Sequence, residues 1–210
     1  MIELHTSGTA NGYKASIMLE ETGFPYRVVD YDLSRGAHQT PAYLALNPVG
    51  RIPAIVDEEV ATGPDGIALC VYGSAAILLY LAEKSGRLLP HDTVARAKVF
   101  EWLGVISSDL SPAYSGQFVF SQIAPERIPW AIEFYNKGCL RFLAVLDDAL
   151  GRTDHLAGDE YTIADVIAYP VVATSVKRFP GSLDGYRELA RWAAKVGARP
   201  AVERGMKVPR

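Results

Sequence analysis

The sequence predicts a two-part fold: an α/β domain followed by an all-helical one. Three observations carry that reading. Residues 1–86 alternate short β-branched or apolar runs with stretches of helical periodicity. From Thr93 onward the apolar residues recur at helical spacing and no strand-like run stands out. Between the two lies "SGRLLPHD", residues 85–92, whose glycine and proline mark a boundary. The expected domains are therefore 1–86 and 92–210 of the 210 residues.

"MIEL" reads as a short first strand. Residues 12–22 place Ala15, Ile17, Met18 and Leu19 on a largely apolar helix closed by Gly23. "YRVVDYDL", 26–33, reads as a second strand, and the small-residue loop after it has room for one short helix, 41–46, opened by Pro41. "IPAIVD", 52–57, and "IALCVY", 67–72, read as strands joined by the turn signal "GPDG", 63–66, which predicts an antiparallel hairpin. "SAAILLYLAEK", 74–84, follows as a helix with Ser74 as its expected N-cap. That order, β-α-β and then β-β-α, is the order of a thioredoxin-like domain, with a right-handed crossover in its first half. In the second part, four helical patterns follow: 94–114, 125–150, 162–176 and 185–196.

Composition narrows the function classes. The net charge of −3 comes with no basic run, which argues against a nucleic-acid partner. The longest charge-free stretch, 67–82, is shorter than a membrane span and is interrupted by Gly73-Ser74. The N-terminus shows no basic region followed by an apolar one, so a cytoplasmic location is expected. The two cysteines, Cys70 and Cys139, have neither a redox-motif nor a metal-ligand spacing, so reduced thiols and no bound metal are expected.

Three places hold candidate chemistry. "TSGTANGYKASIMLEE", 6–21, puts a hydroxyl (Thr9) and an amide (Asn11) where a strand turns into a helix, with a single basic residue, Lys14, just beyond. Either Asn11 merely caps a helix starting at Gly12, or both side chains donate to an incoming anion helped by the helix dipole. Pro53 stands at a strand start, where it forfeits no needed donor. It is either an ordinary trans proline or a cis one that leaves the Ile52 backbone facing outward for an extended, peptide-like ligand. Gly73-Ser74 opens a helix whose first N–H groups lack partners; Ser74 either caps that helix or helps it bind a carboxylate.

With "NPVGRIPAIVD" and "SAAILLYLAEK" in that order ahead of an all-helical half, the whole chain resembles the cytosolic glutathione transferase superfamily. "LAGDEYTIADVIAYP", 156–170, looks like that family's buried capping box, with Thr162 capping and Asp165 reciprocating. "ARPAVERGM", 198–206, looks like its C-terminal signature. Within the superfamily, "TANGYK" and "LEE" look most like the bacterial nu-class and yeast prion-like branch.

The resemblance implies that Thr9 and Asn11 flank the thiol of glutathione as co-substrate. It implies that Ile52, before a cis Pro53, offers its backbone to the cysteinyl unit. His38 and Arg51 would contact the glycyl end, and Ser74 the γ-glutamyl carboxylate. Gly73 occupies the place where the family usually carries an acid for the γ-glutamyl ammonium, and His38 stands where the branch commonly has glutamine. The implied activity is glutathione transfer with disulfide reduction, on a small electrophile or disulfide, by a homodimer. A binding or regulatory protein on the same scaffold, or a glutathione-dependent dehalogenase or isomerase, are the competing readings.

Overall fold

A computed structural model describes residues 1–62, 66–178 and 183–209. The chain forms two compact units: Met1–Leu89 together with Gly197–Arg210, and Pro90–Val196.

The first unit is built on a four-stranded sheet in the order β2-β1-β3-β4. Its strands are β1 (Ile2–Thr6), β2 (Tyr26–Asp30), β3 (Ala54–Thr62) and β4 (Ile67–Tyr72). β1 pairs parallel with β2 through the crossover helix α1 (Ala10–Thr22) and antiparallel with β3. β3 and β4 form the expected antiparallel pair, from Ala54 opposite Tyr72 to Thr62 opposite Ile67. Of the turn expected at 63–66, residues 63–65 lie outside those described. β3 runs five residues past the expected end at Asp57, through an irregularity between Asp57 and Ala61. An extra-residue bulge lets a strand continue where "DEEV" breaks the apolar alternation. β2 ends earlier than expected, at Asp30, and residues 33–39 form two short 3₁₀ turns before α2 (Pro41–Leu46).

Helix α3 (Ser74–Ser85) and α1 cover the sheet. Leu4, Ile17, Met18, Leu19, Ile55, Ile77, Leu78 and Leu81 are completely buried there. The sequence did not announce α9 (Pro200–Gly205), which packs on α1 within this unit. Residues 197–210 were expected with the helical domain, but belong instead to the sheet domain. Arg199 Nε reaches Glu21 at 2.7 Å, and Ser16 Oγ donates to Gly205 O at 2.7 Å.

The second unit is all-helical among its described residues. It contains α4 (Thr93–Val105), α5 (Ser111–Phe118), α6 (Pro129–Leu150), α7 (Ile163–Arg178) and α8 (Arg187–Gly197), the last ending at the unit boundary. Two π turns, 106–110 and 119–123, extend α4 and α5 into one helical run. The expected capping box is present. Asp165 Oδ2 accepts from Thr162 N at 3.0 Å, and Thr162 Oγ1 accepts from Ala164 N at 3.2 Å. Asp165 Oδ1 also takes Leu156 N at 3.1 Å and Trp192 Nε1 at 2.7 Å. Among the described residues, no helix is long and apolar enough to cross a membrane.

Candidate functional site

Sheet register gathers the sequence candidates at one end of the first unit. His5 lies opposite Ala54, and Ala54 opposite Tyr72, so the end of β1, the start of β3 and the end of β4 are neighbours. Thr9 follows the first of these, Pro53 precedes the second, and Ser74 follows the third. Gly73 N donates to Pro53 O at 3.2 Å, which ties two of the three together directly. The loop leading to His38 leaves β2 at the same end, where Tyr31 N donates to Thr6 O at 3.0 Å.

Thr9, not Asn11, is the N-cap of α1. Its backbone is extended (φ −128°, ψ 162°), and its Oγ1 accepts from Gly12 N at 3.2 Å. Helix α1 therefore begins at Ala10, two residues earlier than expected, and Asn11 sits in its first turn. Both Thr and Asn are good caps, and only the position of the turn decided between them. A hydroxyl that accepts through a lone pair still has its own proton to donate. Thr9 thus caps the helix and keeps a donor. Gly12 is required for this turn: a β-carbon there would lie 2.2 Å from Ser7 O and 2.5 Å from Thr6 Oγ1.

The residue that sequence reasoning left without a role is Lys14. It is 1% exposed, and its Nζ donates to Asn11 Oδ1 at 2.9 Å. Burial lowers its ammonium pKa to about 7. The available signal was a lysine three residues after Asn11 on a largely apolar helix.

The Ile52-Pro53 bond is cis. Pro53 is buried, Ile52 half-buried and Arg51 exposed. The loop that leads to them is held by side chains from the α2 region. Tyr43 Oη donates to Arg51 O at 2.8 Å, Gln39 Nε2 to Gly50 O at 2.7 Å, and Val49 N to Asn47 Oδ1 at 3.0 Å.

Helix α3 is opened by Gly73, with Ser74 as its first helical residue rather than the expected cap. No side chain caps this terminus. Its first amides are the donors that a helix N-terminus offers to a carboxylate. Gly73 has φ 86° and ψ 124°, a backbone that L residues adopt only with strain. Glycine takes up that backbone without strain. His38 lies in the second 3₁₀ turn, and its buried Nδ1 has no hydrogen-bond partner among the described residues. An uncapped helix start and an orphaned ring nitrogen at the same end of the sheet suit a ligand with carboxylates and amides.

Neither cysteine is tuned for nucleophilic attack. Burial raises the Cys70 thiol above its ordinary value and pushes the Cys139 thiol up to about 11. Cys70 Sγ donates to Leu46 O at 3.2 Å. No group of three or more metal-ligating side chains occurs among the described residues.

Comparison with known proteins gives the family. Residues 3–83 match the family described as glutathione S-transferase, N-terminal domain, and residues 131–195 match glutathione S-transferase, C-terminal domain. The chain belongs to the glutathione transferase family. Among its relatives is the disulfide-bond oxidoreductase YfcG of Escherichia coli, 38% identical over 202 residues, 96% of this chain and 92% of that one. A crystal structure of a glutathione transferase family member from Pseudomonas fluorescens, with two glutathione bound, superposes with a TM-score of 0.92 at 35% identity, covering 99% of this chain and 93% of the other. Glutathione transferase URE2P6 from Phanerochaete chrysosporium, in complex with oxidized glutathione, gives a TM-score of 0.89 at 30% identity over 97% and 94% of the two chains. Bacterial and Ure2p-like relatives are those of the branch that the head of α1 resembles.

Proposed function

We propose that this glutathione transferase-family chain is a glutathione-dependent disulfide reductase whose Thr9 and Asn11 solvate the thiolate of the bound co-substrate. His38, Arg51, Ile52, Pro53, Gly73 and Ser74 form the rest of the glutathione site in this reading. The observation that carries it is the head of α1, where Thr9 gives a lone pair to Gly12 N and keeps its own proton for an incoming sulfur.

Moving a thiol from a pKa of about 8.5 to about 6.5 takes about 2.7 kcal/mol of preference for the thiolate. One or two charge-assisted hydrogen bonds and a helix N-terminus supply energies of that order. The protein then needs no nucleophile of its own, in keeping with the raised thiols of Cys70 and Cys139.

The chemistry is two exchanges. The glutathione thiolate attacks one sulfur of the substrate disulfide, the S–S bond breaks, and one substrate thiolate leaves to take a proton. A second glutathione thiolate attacks the glutathione sulfur of the mixed disulfide and releases the second substrate thiol. The substrate is reduced, and two glutathiones are oxidised to one glutathione disulfide. The two glutathiones bound to the Pseudomonas fluorescens relative are the stoichiometry that this sequence of steps requires.

The family resemblance supports a homodimer. Two free cysteines support a reducing, cytoplasmic compartment. The test compares turnover of a small alkyl disulfide with conjugation of a chlorinated nitrobenzene at equal glutathione, in wild type, Cys70→Ser and Cys139→Ser. Reduction exceeds conjugation and survives both substitutions. Faster conjugation, or loss of reduction in either variant, overturns the reading.

A further inference from the structure

A primary amide has an acceptor end and a donor end, and it can stabilise a thiolate only through the donor end. Asn11 sits in the first turn of α1 with its amide contacting Lys14 Nζ at 2.9 Å. An ammonium has three donors and no acceptor, so the amide atom facing it must be the oxygen. With Oδ1 engaged by Lys14, the NH₂ group is the end left to reach a ligand at the head of the helix. Lys14 is 1% exposed, so water does not compete freely for this contact. Its position three residues along the helix from Asn11 puts both on one face, and the long stem of a lysine spans one turn.

We propose that Lys14 is a positioning residue for the thiolate site: it holds Asn11 Oδ1 so that the Asn11 amide presents its NH₂ to the glutathione sulfur. Thr9 is oriented by the parallel device, a backbone N–H from Gly12 that occupies a lone pair and leaves the hydroxyl proton to donate. The two sulfur-facing side chains are thus each made donors by a contact with the first turns of α1. This inference rests on the reading that Asn11 meets the sulfur.

The lowered ammonium pKa of about 7 fits the same picture in one respect. A buried cation one turn from the site is stabilised when an anion forms beside it, and the anion is stabilised in return. The positioning role needs the protonated lysine, which a pKa of about 7 supplies in the acid half of the pH series and which the neighbouring anion extends upward.

The experiment reads the ionisation of bound glutathione directly, by its ultraviolet thiolate absorbance at saturating glutathione across a pH series. Wild type, Lys14→Met, Asn11→Ala and the double variant are compared. Lys14→Met raises the bound-thiol midpoint by about one pH unit, a tenfold loss of thiolate below the midpoint. Asn11→Ala raises it similarly, and the double variant adds little to Asn11→Ala alone, because Lys14 acts through the amide. An unchanged midpoint in Lys14→Met, with a raised one in Asn11→Ala, overturns the positioning role and leaves the thiolate reading intact. Fully additive shifts also overturn it, since Lys14 then acts on the sulfur independently of Asn11. No shift in Asn11→Ala, or no binding of glutathione by wild type, removes both. Where Lys14→Met does not fold, Lys14→Arg decides: it keeps a donor-only cation and must keep the wild-type midpoint, and a raised midpoint in the folded variant counts against the proposal.

Discussion

Gly205 lies so close to Ile17 that a β-carbon on the glycine would stand 2.6 Å from Ile17 Cα and 2.7 Å from its Cγ1. Backbone cannot yield there as a flexible side chain could. Helix α9 is seated on α1 by this contact, by the Ser16 bond to Gly205 O and by Arg199 on Glu21. Gly205→Ala is expected to cost about 1–3 kcal/mol through overpacking. Denaturant unfolding checks it, and a midpoint equal to wild type would show that α9 shifts without cost.

Asp165 satisfies three buried donors: Leu156 N, Thr162 N and Trp192 Nε1. Asp165→Ala leaves them all without their acceptor. The expected loss is about 3–5 kcal/mol, the range for breaking a buried charged group's network. A melting temperature within a degree or so of wild type would contradict this, because 1 kcal/mol moves it by roughly 2–4 °C in a chain of this size.

Thr9 caps α1 and, in the proposed function, donates to the sulfur. Thr9→Ala is expected to lower disulfide turnover about tenfold and to destabilise the fold by about 0.5–2 kcal/mol. Thr9→Ser keeps the hydroxyl and restores both. Stability lost without any change in turnover would confine Thr9 to capping.

Gly73→Glu supplies the acid that the family usually carries, and open space surrounds the added β-carbon. The positive φ of 86° resists it, at roughly 1–3 kcal/mol of backbone strain. A charge-assisted contact to the γ-glutamyl ammonium is worth about 1.5–3 kcal/mol. The variant should therefore melt earlier in the free state and bind glutathione more tightly. Calorimetry showing unchanged or weaker binding would mean that an acid elsewhere already meets the ammonium.

Asp57, fully buried on β3, accepts from Tyr80 Oη at 2.6 Å and from the Lys84 ammonium. Burial works to raise its carboxyl, but hydrogen bonds from Lys84 and Tyr80 outweigh it, and the net shift is downward. A carboxylate whose folded pKa lies below its unfolded value, about 3.9, stabilises fully above that pH. The contribution disappears as the pH falls through the folded value. Asp57→Asn should be less stable than wild type at neutral pH, and the gap should close in acid. A gap that does not narrow as the pH falls below about 3.9 would exclude this linkage.

The strands, the long helices and the hairpin were legible because their apolar spacing is set by burial on one face. The head of α1 was legible in kind but not in register. "TAN" offers two competent caps, and the choice of Thr9 depends on Gly12 fitting under Ser7 O. At α3 the serine looked like the cap, yet the positive-φ backbone of Gly73 starts the helix. Six residues of α9 carry too little periodicity to declare a helix, and their place against α1 depends on contacts 178 and 189 positions away in sequence. Lys14 stood out in the sequence as the one basic residue of that stretch, but its burial and its contact with Asn11 are visible only in the structure.

The sheet domain is discontinuous: residues 1–89 lack α9 until residues 197–210 join them. During synthesis the α1 face formed by Ser16, Ile17, Glu20 and Glu21 leaves the ribosome early and stays uncovered while residues 90–196 are made. Those intervening residues make up the other compact unit. The unit begun first is therefore the one that cannot be complete until the end of translation. A chain truncated just before Gly197 has every residue of the helical unit but leaves that α1 face open, which is the surface a chaperone would meet.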